Sequence, residues 1–183
     1  MGLQPDELKN RLTPEVKENI LRDNWHSHDA RWFLKVSQEL GFEVGNRFNQ
    51  ITLRSMAKTD MKRLLEAVGC QRIESPHDFA TIFQIAQELY FPAPIFEGGF
   101  KVTGTDSAMV TVERCPTFEE VKKAGVIGIY QCTCAIRFES WLAACGLGGR
   151  ASILQSMNRG DPLCKVSLTS ISRLNDSSVS SVD

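Results

Sequence analysis

The sequence changes character at Phe91-Pro92-Ala93-Pro94, and this segment restricts the fold more than any other. Proline fixes its own φ and pushes the preceding residue toward extended backbone, so a helix cannot continue through the segment. Before it, apolar residues recur at helical spacing, whereas after it β-branched residues alternate with polar ones. The chain is therefore predicted to be α+β, with a helical N-terminal half followed by antiparallel strands.

The N-terminal half carries start and stop signals for several helices. Thr13-Pro14-Glu15 combines a hydroxyl N-cap, proline at the first helical position and an acid in the first turn, and Ser75-Pro76 repeats the pattern. Glycines supply the stops. The expected helices run over 14–40, 44–56, 59–68 and 76–90.

The first long helix carries a polar pair on its apolar stripe. Helical spacing places His28 and Asp29 beside Trp25 and Trp32, and such a pair must be hydrogen-bonded or it costs stability. Either the pair bonds to a neighbouring loop, or it lines a pocket. The whole stripe, which is expected to face inward, is Val16, Ile20, Leu21, Trp25, Trp32, Val36 and Leu40.

The C-terminal half is predicted to form two hairpins with covering helices. Residues 100–103 and 109–114 flank turn material, and residues 152–157 and 163–168 flank a second turn. Thr117 begins a capping-box pattern for a short helix, and a second helix is expected over 135–145. We expect a helical part (1–95) packed on a small antiparallel sheet (96–174) in one domain, and a disordered tail (175–183).

The amino-acid composition and net charge indicate which classes of partner this protein binds. The chain has 183 residues, of which 42% are hydrophobic and 23% charged, so it can bury a sizeable core. A net charge of −1 without a lysine or arginine run argues against nucleic acid or an anionic membrane as the main partner. No run of about 18 apolar residues and no signal sequence is visible. We expect a cytoplasmic protein with a small-molecule partner.

The six cysteines admit three interpretations. In a reducing compartment, Cys115, Cys132, Cys134 and Cys164 can converge on zinc or iron, although one residue between Cys132 and Cys134 is shorter than zinc sites usually have. Alternatively, one activated thiol attacks an amidine-like carbon with His28 or Asp29 as its partner. In the third interpretation, all are small buried apolar residues.

Cys132 is the best candidate for an activated thiol because it precedes a predicted helix, whose N-terminus stabilises a thiolate. Glu139 lies two helical turns further along the same face, so it is either a second pocket residue or a solvated acid. The pocket is expected between the first helix and the sheet, lined by Trp25, Trp32 and Phe33, which core packing would explain equally well. We expect Cys115, Cys132 and Cys164 to lie near Asp29, and Cys70 to lie apart.

Several short motifs resemble a known family. The segment from Trp25 to Val36, Cys115-Pro116, Cys132 and the segment from Gly160 to Cys164 are similar to the L-2-amino-thiazoline-4-carboxylic acid hydrolase-like proteins and their uncharacterised bacterial relatives. The end of the chain also resembles the 4-vinyl reductase domain. The matching positions are Trp25, Asp29, Trp32, Phe33, Cys115, Cys132, Gly160, Cys164 and Glu139.

The resemblance implies a hydrolase, because the named family member opens a thiazoline ring with water. In that hypothesis Cys132 attacks a small cyclic or amide-like substrate, while Asp29, His28 or Glu139 transfer protons. The alternative is a non-catalytic domain that binds a small ligand, or a metal ion through its cysteines.

Overall fold

The computed structural model describes residues 5–70 and 72–174, and it has the expected α+β architecture. The tail for which disorder is expected, 175–183, lies outside the described residues. The helices are α1 (Pro5–Asn10), α2 (Pro14–Leu40), α3 (Phe42–Ala67), α4 (Pro76–Tyr90), α5 (Pro116–Lys123) and α6 (Cys134–Ala144). The strands are β1 (Glu97–Gly104), β2 (Ser107–Arg114), β3 (Leu147–Gln155) and β4 (Cys164–Arg173).

The two predicted helix starts with a proline are confirmed, down to their caps. At α2 the Val16 N–H donates to Thr13 Oγ1 at 3.2 Å, which satisfies one of the unpaired donors of the first turn. At α4 the Asp78 N–H donates to Ser75 Oγ at 3.2 Å, while the Ser75 N–H donates to Asp78 Oδ2 at 3.0 Å. These local hydrogen bonds explain why the sequence placed both starts correctly.

The second and third expected helices are one continuous helix, α3. Thr59, which was predicted to cap a new helix, lies inside α3, where its hydroxyl donates to the Ser55 carbonyl at 3.2 Å. A threonine can satisfy its hydroxyl in this way without ending a helix. The break predicted near Met56 is therefore wrong.

The strands form one antiparallel sheet in the order β1-β2-β4-β3. Its inner face carries the predicted alternation of Cys164, Val166 and Leu168, all of which are buried. Helix α4 packs on β1 and helix α6 packs on β3, so that the core lies between these helices and the sheet. Phe83 and Trp141 meet edge to face in this core, with ring centroids 5.7 Å apart.

Two local predictions in the C-terminal half need correction. The first strand of the second hairpin was predicted over 152–157, but β3 already begins at Leu147 and ends at Gln155. Helix α5 begins one residue after Cys115, which is its N-cap, and not at Thr117. Proline at the first helical position decides this start, because Pro116 is already set at helical φ.

The apolar stripe predicted for α2 does not face inward along its length. Ile20 is 46% exposed and Leu21 69%, whereas Phe33 and Ser37 are buried. Helix α2 packs against α3 where Ser37 faces Gly45, and a Cβ on Gly45 would collide with the Ser37 side chain. This contact between small residues sets the rotation of α2 and leaves the larger residues outside. None of the described helices combines the length and apolar content needed to cross a bilayer.

Candidate functional site

Four of the cysteines line one small cavity of about 80 Å³. Cys115 is the N-cap of α5, Cys132 precedes the α6 N-cap Thr133, Cys134 is the first residue of α6 and Cys164 is the first residue of β4. Each thiol stands at the end of an element, where chain segments distant in sequence meet. Cys115, Cys132 and Cys164 therefore come together as expected.

The segment that leads into Cys132 is held by a buried amide on α3. The Asn46 side chain donates to the Ile129 carbonyl at 2.7 Å and accepts the Gln131 N–H at 2.9 Å. Gln50 adds a hydrogen bond to the Gln131 side chain at 2.7 Å. Because Asn46 is only 3% exposed, both of its hydrogen bonds lie away from competing water. Helix α3 thereby fixes the backbone next to the thiol.

The Cys132 thiol is the most acidic of the group. The pKa of Cys132 is lowered to about 7, mainly by a hydrogen bond from the Cys134 thiol and less by the backbone N–H of Cys134, against the opposing effect of burial. The same thiol–thiol hydrogen bond raises the pKa of Cys134, as does burial. Near neutral pH a large fraction of Cys132 is therefore thiolate, and Cys134 is the thiol that stabilises it.

The other two thiols of the cavity are held in the neutral form. Burial raises the pKa of Cys115 to about 11, and burial also raises the pKa of Cys164. Cys164 Sγ accepts the Met157 N–H at 3.3 Å, within a turn that Asp161 closes by accepting the Ser156 N–H at 2.7 Å. These residues give the C-terminal motif a structural role, because they place Cys164 at the cavity.

The cysteines do not form a recognisable metal centre. Within residues 5–70 and 72–174, no group of three or more His, Cys, Asp and Glu side chains has the spacing to hold an ion. Cys132 and Cys134, the two closest in sequence, instead shift each other's pKa in opposite directions. The arrangement of these four thiols favours one thiolate over a shared ion.

A second and larger cavity, of about 350 Å³, adjoins the first. Trp25, Asp29 and Phe33 from α2 line it, and α5 closes its other side. The pocket was expected between α2 and the sheet, but no strand residue lines this cavity among the described residues. The two cavities share six lining residues, so they lie on either side of the same side chains. The shared residues are Phe91, Pro116, Thr117, Tyr130, Thr133 and Arg137.

Arg137 is the charged residue common to both cavities. Its guanidinium lies over the Phe91 ring at 5.0 Å and near the Trp141 ring at 5.8 Å from the centroids. Nη1 is enclosed and has no hydrogen-bond partner among the described residues. The two rings therefore hold a guanidinium with one buried nitrogen that no described residue hydrogen-bonds.

Comparison with known proteins identifies the fold and nothing further. No family model matches the chain, and no curated protein matches it. The chain is similar to the crystal structure of a trafficking protein particle complex subunit 3 from Naegleria fowleri, which is covalently bound to palmitic acid. The TM-score is 0.56 at 11% identity, and the match covers 88% of this chain and 99% of the other. A likeness at this identity shows a shared fold.

Three of the residues proposed from the sequence lie away from the cavities. His28 is exposed, and Trp32 is 37% exposed on the outside of α2. Glu139 accepts the Ala151 N–H at 3.0 Å, so its carboxylate ties α6 to β3. Neither cavity is lined by any of the three.

Sequence reasoning missed Asn46, His26 and Arg137. Asn46 bonds to a segment 83 residues away, which no local pattern indicates. His26 stacks on Phe91 with ring centroids 5.3 Å apart and lines the larger cavity in place of His28. Arg137 did leave a signal, because it is the one cation of a mainly apolar helix and lies between Ile136 and Phe138.

Proposed function

We propose that this protein binds a small apolar molecule in the two adjoining cavities. The observation that carries the proposal is the larger cavity, whose volume of about 350 Å³ falls within the range of about 300–1,000 Å³ common for ligand sites. Trp25, Phe33 and Phe91 supply apolar wall, and a few polar groups are available to orient a ligand. This is the binding alternative predicted from the sequence, without the metal.

The shared fold supports an apolar ligand. The trafficking protein particle complex subunit from Naegleria fowleri is covalently bound to palmitic acid, which is an acid with a long hydrocarbon chain. In the present protein, apolar residues surround the Cys132 thiolate. A hydrocarbon ligand would therefore lie beside a reactive sulfur. The cavity volume favours a ligand smaller than palmitic acid.

Calorimetric titration with octan-1-ol tests the proposal. Ala30 lines the larger cavity from α2, and Ala30→Phe would fill it with a ring that a helix accepts. We expect the wild type to bind the alcohol, and Ala30→Phe to bind it about tenfold or more weakly, because apolar burial in the cavity supplies the affinity. Circular dichroism establishes that the variant is folded.

The matched control is Arg31→Phe, which puts the same ring on the neighbouring residue, where it is exposed and outside both cavities. It should bind octan-1-ol as the wild type does. Absence of binding to the wild type, or equal affinity of the wild type and Ala30→Phe, would overturn the proposal.

A second candidate function is the hydrolase that the sequence resemblance implies, and the lowered pKa of Cys132 favours it. A thiolate at neutral pH can attack a cyclic or amide-like carbon without a separate base. Hydrolysis further needs a group that activates water, and among the described residues no His, Asp or Glu lines the cavity of Cys132. Asp29 lines the adjoining cavity instead. This geometry favours binding over turnover.

Incubation with 2-amino-thiazoline-4-carboxylate, followed by chromatography of the ring-opened product, tests the hydrolase directly. If the protein is a hydrolase, product accumulates with the wild type and not with Cys132→Ser. Equal product with both proteins, or none with either, rejects Cys132 as the nucleophile of this reaction.

A further inference from the structure

The guanidinium of Arg137 lacks a hydrogen-bond partner that its buried position requires. One nitrogen of the guanidinium is shut off from solvent and forms no hydrogen bond among the described residues. A buried donor without a partner is costly, and the cost is larger when the group is charged. A partner that is absent from the free protein is therefore to be expected at this position.

Neighbouring carboxylates do not supply that partner. The ion pairs formed by the described residues do not include Arg137. Asp60 is affected by the charge of Arg137, but its buried oxygen also has no hydrogen-bond partner within the described part of the chain. Asp29 and Glu120 line only the larger cavity, on its α2 and α5 sides.

The charge of Arg137 does not stabilise the Cys132 thiolate either. The acidity of Cys132 comes from hydrogen bonds given by Cys134, and Arg137 is not among its causes. Arg137 is also the one charged residue of the small cavity among the described side chains if the cysteines are set aside. It is therefore the one cation that both cavities share among the described residues, whereas Lys123 lines only the larger one.

We propose that Arg137 binds the carboxylate of an apolar monocarboxylic acid whose hydrocarbon part lies in the adjoining cavities. This inference rests on the proposed binding function and specifies its ligand. The planar guanidinium matches a carboxylate through two parallel hydrogen bonds, and stacking on Phe91 restricts its orientation before the ligand arrives. The aromatic residues Phe91, Phe138 and Trp141 border the hydrocarbon part.

The test compares octanoic acid with octan-1-ol, which have the same chain length and differ in the charged head. Calorimetric titration at neutral pH, where the acid is ionised, should give the acid an affinity about tenfold or more above that of the alcohol, since hydrogen bonds to charged groups are the stronger kind. In Arg137→Met, the acid should lose this advantage, so that acid and alcohol bind with similar affinity. Arg137→Lys, which retains charge but not the planar fork, should fall between.

Arg63→Met is the matched control, because Arg63 is an exposed arginine that also acts on Asp60 but lines neither cavity. It should leave both affinities unchanged. If the alcohol binds the wild type and the acid binds no more tightly, the role of Arg137 is rejected while the binding function stands. If neither compound binds, the binding function itself fails.

Discussion

Cys132 and Cys145 lie at opposite ends of helix α6, and their thiols differ in acidity. Cys145 is the C-cap, is 7% exposed, and burial raises its pKa to about 12. Cys132 lies just before the N-terminus and is also largely enclosed, yet its pKa is lowered to about 7 by the hydrogen bond from Cys134. Burial alone therefore does not determine thiol acidity here, since donors at a helix N-terminus reverse its effect.

The surroundings of the two ends differ in packing as well. Cys145 belongs to the main core, together with the almost fully buried Leu142, Leu147 and Ile171. Around Cys132, the walls belong to two cavities. We infer that one end of the helix contributes to stability and the other to ligand binding.

The largest expected effect is on the free energy of unfolding, and it distinguishes aromatic residues packed in the core from those that line the cavities. Phe79 is fully buried, and its ring lies 5.6 Å from Phe100, so Phe79→Ala should lower the free energy of unfolding by about 3–5 kcal/mol. Phe91 lines both cavities and is half-buried, so Phe91→Ala enlarges existing space and should cost about half as much or less. Urea unfolding measures both. Equal losses would contradict the division into packed and open regions.

The next effect concerns the amide that fixes the Cys132 segment. Asn46→Ala leaves the Ile129 carbonyl and the Gln131 N–H without their partner, and should cost about 1–3 kcal/mol in urea unfolding. Gln50→Ala removes only an exposed side-chain hydrogen bond and should cost about 0.5 kcal/mol or less. If Asn46→Ala costs as little as Gln50→Ala, the hydrogen bonds of Asn46 are not what holds the segment before Cys132.

A third prediction concerns the source of the acidity of Cys132. Without the Cys134 thiol, the pKa of Cys132 should rise toward about 8.5, and near pH 6 its thiolate fraction should fall about thirtyfold. A thiolate with a higher pKa is intrinsically more nucleophilic, which offsets part of this loss. In Cys134→Ala, Cys132 should therefore be alkylated about fivefold more slowly. Cys145→Ala, at the other end of α6, should leave the rate unchanged. A rate that does not fall in Cys134→Ala would assign the acidity to another group.

The smallest expected effect is the contribution of His26, which lines the larger cavity, to the pH dependence of the melting temperature. Burial, followed by the charges of Arg137 and Arg22, lowers the pKa of His26. The unfolded chain then binds the proton more readily, so the folded state loses stability as pH falls below about 6.5 and gains nothing above it. His26→Gln should reduce the fall in melting temperature between about pH 7 and pH 5 by about 1–2 °C, while exposed His28→Gln should not change it. An unchanged fall in His26→Gln would exclude His26 as the titrating group.

Local signals in the sequence were sufficient for much of the fold. Thr13 and Ser75 placed two helix starts, and the alternation of Cys164, Val166 and Leu168 placed the core face of the last strand. These signals act over a few residues. The division near Met56 failed because Thr59 can bond within a helix as well as cap one.

The site could be predicted only in part. Cysteines at element ends were visible as a pattern, and four of them do line one cavity. The rotation of α2, which carries Trp32 and His28 to the outside, depends on the contact between Ser37 and Gly45 of another helix. Asn46 likewise acts through tertiary contacts, which have no local signature.

The pH dependence of alkylation at each cysteine tests the central claim most directly, namely that Cys132 is an activated thiol in the wall of a ligand cavity. Wild-type protein is treated with iodoacetamide between about pH 5 and pH 9, and the labelled peptides are quantified by mass spectrometry. We expect Cys132 to react first, with a midpoint near the pKa of about 7, and octan-1-ol to slow that reaction. Labelling of Cys132 no faster than that of Cys145, with a midpoint above about pH 8.5, would contradict the account.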